Sequence, residues 1–474
     1  MNTMIATAFV EEVGVFASRV SDAFAGELSG AGRAWVVRAP GGLDVMGGIA
    51  EYTGAVTLTA PTAGAVLAVA ARRQDQQIVV DVLDTSGNGH KARTAWPLAT
   101  FYAAPDELAD PAAFRGQVET FENTWARPTA VALYAMLSQK LAPHFGGGLT
   151  FVFHSTLTGS ADVGADQAVQ TAVVAAAAAA LGIEIPPPRI AELCGSIRTR
   201  CDSAPGGVSS AFCSLLGEPD SLAQVRCQPR EWMGTLRLPQ GIAVIGIDSG
   251  YRHPTAQAKY VDARIAAFMG RAYVEQTLRA LGAAETWGGY LARITVNDYV
   301  ERLRDRIPTK IKGGAFLERF PDTGCPYARV NPDAVYKIRS RAEHHIYEND
   351  RVHQFVERIS RLARTGQRTA LIEAGELMYA SHWSYGQRCG LGTVATDLLV
   401  THLRQRGTAD GIYGARVSGH GAGGMVVALM DDTAEARCVV REVVDAYQQE
   451  SGNASAILTG SSPGVFVAGV RQIP

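Results

Sequence analysis

The segment 151–182 constrains the fold more than any other part of the chain. It opens with the β-prone run Phe151-Val152-Phe153, passes through a polar loop containing Gly159 and Gly164, and continues as a long apolar stretch to Leu181. A short apolar strand followed by a glycine loop and a helix predicts a strand–loop–helix unit whose helix packs on a sheet. The stretch Ala172 to Leu181 comes nearest to a membrane span. It is too short and too alanine-rich for one, so a tightly packed core helix is expected.

The remaining segments interleave strands and helices. Ala34 to Val37 and residues 55–70 read as strands on either side of the turn at Pro40-Gly41-Gly42. Residues 241–249 read as a buried strand, and 255–282 and 290–305 as helices. Residues 412–430 read as strand, glycine loop, strand: Tyr413 to Val417, then Ser418-Gly419-His420-Gly421-Ala422-Gly423-Gly424, then Met425 to Leu429. There is no strict βαβ repeat, so the class is α+β. The first twenty residues carry acids inside an apolar run and no basic start, which predicts an amphipathic helix and not a signal peptide.

Composition narrows the partners. With 474 residues the chain is long enough for two domains or one large two-lobed fold. A formal net charge of −2 gives no field favouring nucleic acid or an anionic membrane, so a small molecule is the expected partner. The cysteine count is odd, 7, and no pair has metal-ligand spacing, so reduced thiols and a cytoplasmic location are expected.

Several motifs, in order, carry a resemblance. They are Arg38-Ala39-Pro40-Gly41-Gly42-Leu43-Asp44-Val45-Met46-Gly47-Gly48-Ile49-Ala50-Glu51-Tyr52-Thr53-Gly54, then Ile247 to His253, Ile346-Tyr347-Glu348-Asn349, Cys389-Gly390-Leu391-Gly392, and Tyr413 to Leu429. Together they resemble the GHMP kinase superfamily, and within it the galactokinase and L-arabinokinase branch. The resemblance implies a two-lobed α+β fold with the active-site cleft between lobes, here expected as 1–220 and 221–474. It also implies a sugar site near the first motif and an ATP-phosphate loop of the form Gly-x-Gly-x-x-Ser-Ser-Ser-Ala at a helix N-terminus. Free N–H groups and the helix dipole favour an anion there.

The chain departs from that pattern at the positions where phosphoryl transfer needs them. The loop reads Gly159-Ser160-Ala161-Asp162-Val163-Gly164-Ala165-Asp166, so the serine triplet becomes Gly164-Ala165-Asp166 and two carboxylates appear. The magnesium-binding glutamate falls at Gln170, the catalytic aspartate at Ser210, and the arginine of the first motif at Gly42. Serine is no general base near neutral pH. Phosphoryl transfer depends on positioning and charge neutralisation, and four losses together argue against it. Mg·ATP is therefore not expected to bind in the usual way, and the cofactor is left open, with no metal ligands assigned.

The expected acid/base groups are Asp162, Asp166, Glu51 and His420. Asp44, Glu51, Tyr52, Ser210 and Tyr385 are expected substrate contacts, and Gly419, Gly421, Gly423 and Gly424 the cofactor-side glycines. Asp44 reads equally as a sugar ligand or as a buried acid satisfying backbone donors. His344, His345, Tyr347, Glu348, His382 and Cys389 are further cleft candidates by resemblance, although packing explains Cys389 better. Three functions fit. One is an enzyme acting on a sugar, sugar phosphate or nucleotide sugar by a reaction other than ordinary phosphorylation, by analogy in bacterial specialised metabolism. The second is a sugar kinase with a non-standard ATP site, in which Asp166 holds Mg²⁺. The third is a catalytically inactive sugar sensor.

Overall fold

The computed structural model describes residues 2–23, 33–83, 90–104, 107–122, 125–142, 144–157, 163–200, 207–283, 287–325 and 329–473. The chain divides into two units by its internal contacts. Unit 1 holds residues 1–42, 61–219 and 461–474, and unit 2 holds 43–60 and 220–460. The sequence places the division at 220/221 with each part continuous. In the structure two segments change sides, 43–60 to unit 2 and 461–474 to unit 1.

Unit 1 is built on α1 (Asn2–Ala23), β1 (Ala34–Met46), β2 (Val56–Arg72), β3 (Gln77–Leu83), β4 (His90–Pro97), α2 (Ala126–Ser138), β5 (Leu149–Ser155), α3 (Ala165–Leu181), α4 (Pro187–Arg200) and α5 (Ser209–Leu216). Its sheet has the order C-terminal strand Arg471–Ile473, β1, β2, β5, β3, β4. β2 and β5 are antiparallel from Val66 opposite Ser155 to Arg72 opposite Leu149, whereas β3 and β5 are parallel. In α1, Val13, Phe16 and Val20 recur at helical spacing and bury themselves against Leu67, Val69 and Val152. The alanines of α3 are buried from Ala172 to Ala178. Small side chains let neighbouring α2, α4 and α5 approach closely, which is the reason for so alanine-rich a helix. Among the described residues no helix is long and apolar enough to cross a membrane.

Arg38 fastens this unit internally. It is 2% exposed. Its Nε donates to Glu12 at 2.8 Å, Nη1 to Ser462 Oγ at 2.7 Å, and Nη2 to the Ala63 carbonyl. A buried guanidinium is tolerable only when its donors are so engaged.

Unit 2 contains β6 (Ser221–Cys227), β7 (Arg230–Arg237), β8 (Ile242–Arg252), α6 (Ala256–Ala280), α7 (Ile338–Thr365), α8 (Thr369–Ser384), α9 (Val394–Arg406), β9 (Ile412–Val417), β10 (Gly423–Asp431), α10 (Ala434–Ser451) and β11 (Ala456–Leu458). Its antiparallel sheet has the order β9, β10, β8, β11. Alternate residues of β8, β9 and β10 (Ile245, Ile247, Ile412, Val426, Ala428 and Met430) face Leu399, Leu403, Val440, Val443 and Tyr447 of α9 and α10 in one core. The segment 290–305, expected as one helix, is instead a chain of short turns: Leu291–Arg293, Val296–Asp298, Tyr299–Leu303 and Arg304–Arg306. Ile294 and Thr295 are extended, and the Thr295 side chain accepts the Asp298 N–H and restarts the chain there.

Candidate functional site

In unit 1 three motifs lie together. Pro40 and Gly41 end the stretch of β1 in this unit, Val163 and Gly164 precede α3, and Ser210 sits in the first turn of α5. A side chain at Gly41 would reach the Val163 carbonyl at 2.7 Å, and one at Gly164 would meet Ser210 Cβ at 2.8 Å. The Ser214 hydroxyl donates to the Pro40 carbonyl. Helix α3 starts after Gly164, and the first helical bond is Ala168 N–H to Gly164 O at 2.9 Å. The N–H groups of Ala165, Asp166 and Gln167 therefore have no partner within the helix.

The charge at this helix start is set by Asp166, which is exposed in the first turn. One turn on, Gln170 is 2% exposed, and its Oε1 has no hydrogen-bond partner among the described residues. A carboxylate and a neutral amide on one helix flank give a weak anion site, although the helix start still presents N–H groups that no helical carbonyl takes. Asp162 lies outside the described residues.

In unit 2 the first motif forms a turn of 3-10 helix, Gly48–Thr53, which carries Glu51 and Tyr52. Its backbone is held by side chains far along the chain. Gly47 N–H donates to Glu348 Oε1 at 3.3 Å, Gly48 N–H to Asp44 Oδ1 at 3.1 Å, and Ile49 N–H to Tyr385 Oη at 2.8 Å. Just after the turn, Val56 N–H donates to Asn349 Oδ1 at 3.0 Å. Asp44 is a junction in the same network. Its Oδ2 accepts from Arg416 Nη1 and from Gly419 N–H, both at 3.1 Å, and its carbonyl accepts the Ser418 hydroxyl at 2.9 Å. Burial raises the Asp44 pKa, while Arg416 opposes that shift. Accepting two backbone N–H groups and one guanidinium, this carboxylate has the geometry of an acid satisfying backbone donors.

A buried set of charges lies behind the turn. Glu348 and Arg416 are both fully buried. Burial alone would push the Glu348 carboxyl up, yet Arg351, Arg416 and the Ser381 hydroxyl at 2.7 Å hold it down at about 2. His344 and His345 are also fully buried. Burial, helped by Arg264, brings His345 down to about 3, so the imidazole is neutral near pH 7. Tyr52 meets His345 at 3.1 Å through its hydroxyl, and the Arg264 guanidinium lies 4.4 Å from its ring centroid. His420 rests on Tyr260 with ring centroids 4.6 Å apart. Gly423 and Gly424 open β10, and a side chain at Gly423 would meet the Tyr251 carbonyl at 2.6 Å. Burial pushes the Cys389 thiol up to about 12, which makes it an inert packing group.

Thus Asp44, Glu51, Tyr52, Tyr385, Gly419, His420, Gly421, Gly423 and Gly424 belong to unit 2, and Asp166 and Ser210 to unit 1. Arg416, Arg264, Arg351 and Ser381 were not among the sequence candidates. The available signal was an arginine inside the otherwise apolar strand Ile412–Val417, since a charge in a buried strand demands a partner.

No protein-family model matches the chain. Among solved structures, Lactococcus lactis galactokinase complexed with galactose superposes with a TM-score of 0.69 at 14% identity, covering 94% of this chain and 98% of that one. Methanococcus jannaschii mevalonate kinase gives 0.54 at 10% identity, covering 90% and 97%. These likenesses establish the fold. In sequence, the L-arabinokinase of Arabidopsis thaliana is 29% identical over 489 aligned residues, covering 93% of this chain. In sequence and in fold the chain is similar to kinases of the GHMP superfamily. The likeness is to the galactokinase and arabinokinase-like branch, since a galactokinase of Actinobacillus pleuropneumoniae serotype 3 is 24% identical over 71% of the chain. The chain spans 47% of the length of the Arabidopsis protein and 74% of that galactokinase.

Proposed function

We propose that this chain is a sugar-kinase-like protein that binds a sugar or sugar derivative, and that it does not carry out ordinary Mg·ATP phosphorylation. The sugar half of the reading is supported by the relatives, which are sugar kinases, and by the first-motif turn that presents Glu51 and Tyr52. The observation that carries the second half is the start of α3. An exposed carboxylate, Asp166, occupies its first turn, a neutral Gln170 follows, and Ser210 presses on Gly164. This donor set does not fit a magnesium-bound triphosphate: the carboxylate repels phosphate, and a neutral amide supplies little to the metal. Ser210 offers a hydroxyl where a proton acceptor is needed.

One observation favours a second reading, a kinase with altered geometry. The N–H groups at the start of α3 lack helical partners, and Asp166 then serves as a magnesium ligand.

Thermal stability with and without millimolar Mg·ATP, beside a panel of sugars, sugar phosphates and nucleotide sugars, separates the readings. A ligand at about 100 times its Kd stabilises by roughly 2.7 kcal/mol. The proposal expects no Mg·ATP shift and a clear shift with one sugar derivative. A Mg·ATP shift that disappears in Asp166→Ala establishes the altered kinase instead, and a panel with no shift at all removes the sugar reading.

A further inference from the structure

The Tyr385 side chain lies between two glycine positions of unit 2. A Cβ at Gly48, where φ is +45°, would stand 1.7 Å from Tyr385 Oη. A Cβ at Gly421, where φ is +73°, would stand 3.1 Å from Tyr385 Cδ1 and 2.9 Å from Leu391 Cβ. Both glycines meet a left-handed backbone and a space already filled, at Gly48 by the tyrosine hydroxyl and at Gly421 by Leu391 and the tyrosine ring. The hydroxyl then makes two bonds. It accepts the Ile49 N–H at 2.8 Å and donates to the Gly419 carbonyl at 3.0 Å. One oxygen atom thereby joins the turn carrying Glu51 and Tyr52 to the glycine-rich loop 418–424.

The surroundings fix the ring. It is fully buried, meets His344 edge-on at 5.0 Å, and lies under the Arg416 guanidinium at 4.9 Å. Arg416 also holds Asp44, which in turn accepts the N–H groups of both Gly48 and Gly419. Tyr385 and Asp44 therefore span the same two segments, one through a neutral hydroxyl and one through a charge.

We propose that Tyr385 is a positioning residue: its hydroxyl holds the first-motif turn in the orientation that presents Glu51 to a sugar ligand, and makes that turn and the glycine-rich loop move as one body. On this account Gly48 is a glycine because the tyrosine hydroxyl takes the room, and Gly421 because Leu391 and the tyrosine ring share it. The proposal rests on the sugar-binding reading above for its ligand, but its mechanical part does not.

The test is Tyr385→Phe, which removes one atom and keeps the ring packing. Amide exchange is followed by mass spectrometry, and affinity is measured for whichever panel sugar derivative stabilises the wild type. Exchange in 47–54 and in 417–424 should quicken together by at least tenfold, and affinity should weaken by at least tenfold at a temperature where the variant is fully folded. Tyr379→Phe is the control, because the Tyr379 hydroxyl is buried without a hydrogen-bond partner among the described residues. It should move neither quantity. Unchanged exchange in either segment overturns the proposal. So does faster exchange with unchanged affinity, which leaves Tyr385 a packing residue, and so does an equal response in Tyr379→Phe. If the wild type binds no sugar derivative, the sugar reading falls, and the exchange arm alone decides the mechanical coupling.

Discussion

Replacing His345 by glutamine should flatten the acid limb of the stability curve. His345 is buried beside Arg264, and both desolvation and that positive neighbour hold its pKa at about 3, against an ordinary 6.5. The sign follows from proton counting. Below about pH 6.5 the unfolded chain takes up a proton at this residue and the folded chain does not, so stability falls as pH drops from 6.5 toward 3. At about pH 5 the unfolded-state pKa gives a loss of about 2 kcal/mol relative to about pH 7.5. An unfolding entropy of about 2.1 cal/mol/K per residue makes each kcal/mol worth roughly 1 °C for 474 residues, so this residue alone should lower Tm by about 2 °C across that interval. The assay is differential scanning fluorimetry of the wild type and His345→Gln across the pH range. The variant loses some stability at every pH, because the contact with Tyr52 changes. The informative quantity is the difference in slope. Two parallel curves would refute a neutral His345 in the folded state.

Two further outcomes test the buried network. Glu348→Gln removes the charge that faces Arg351 and Arg416 and leaves both cations in the interior, so urea denaturation should show a loss of about 3–5 kcal/mol; a loss below about 1 kcal/mol would mean the arginines find other partners. Gly48→Ala should cost more than the roughly 1–2 kcal/mol of a left-handed alanine, because its Cβ also displaces the Tyr385 hydroxyl, whereas Gly182→Ala at φ +69° with open space around it should cost only the backbone part.

Much of the fold is legible in the sequence where the signal is local. The helical spacing of Val13, Phe16 and Val20, the alanine run in α3, and the strand–glycine–strand pattern at 412–430 each report on their own segment and are found where expected. Where the determining contact is distant, the sequence is silent. Gly47 and Glu348 are 301 residues apart, and Asp44 and Arg416 are 372 apart. Nothing in either neighbourhood says that the Asp44 carboxylate will be used by its own chain, so the two readings of that residue look alike in sequence. The 290–305 segment fails for a different reason: its apolar spacing suits a helix, but Thr295 caps a new turn in the middle of it. The departures at Gly42, Gln170 and Ser210 are legible because a motif fixes what should stand there.

The exchange of segments 43–60 and 461–474 has a consequence during synthesis. Residues 43–60 leave the ribosome early but belong with 220–460, and unit 1 lacks residues 461–474 until after all of those have appeared. At about 5–20 residues per second, roughly tens of seconds separate the first-motif turn from Arg416. Over that time β1 has no C-terminal strand beside it, and Asp44 has no arginine. Until residues 471–473 emerge, the nascent chain carries an unpaired strand edge on an unfinished sheet, and this is the interval in which it is most prone to pair with its neighbours.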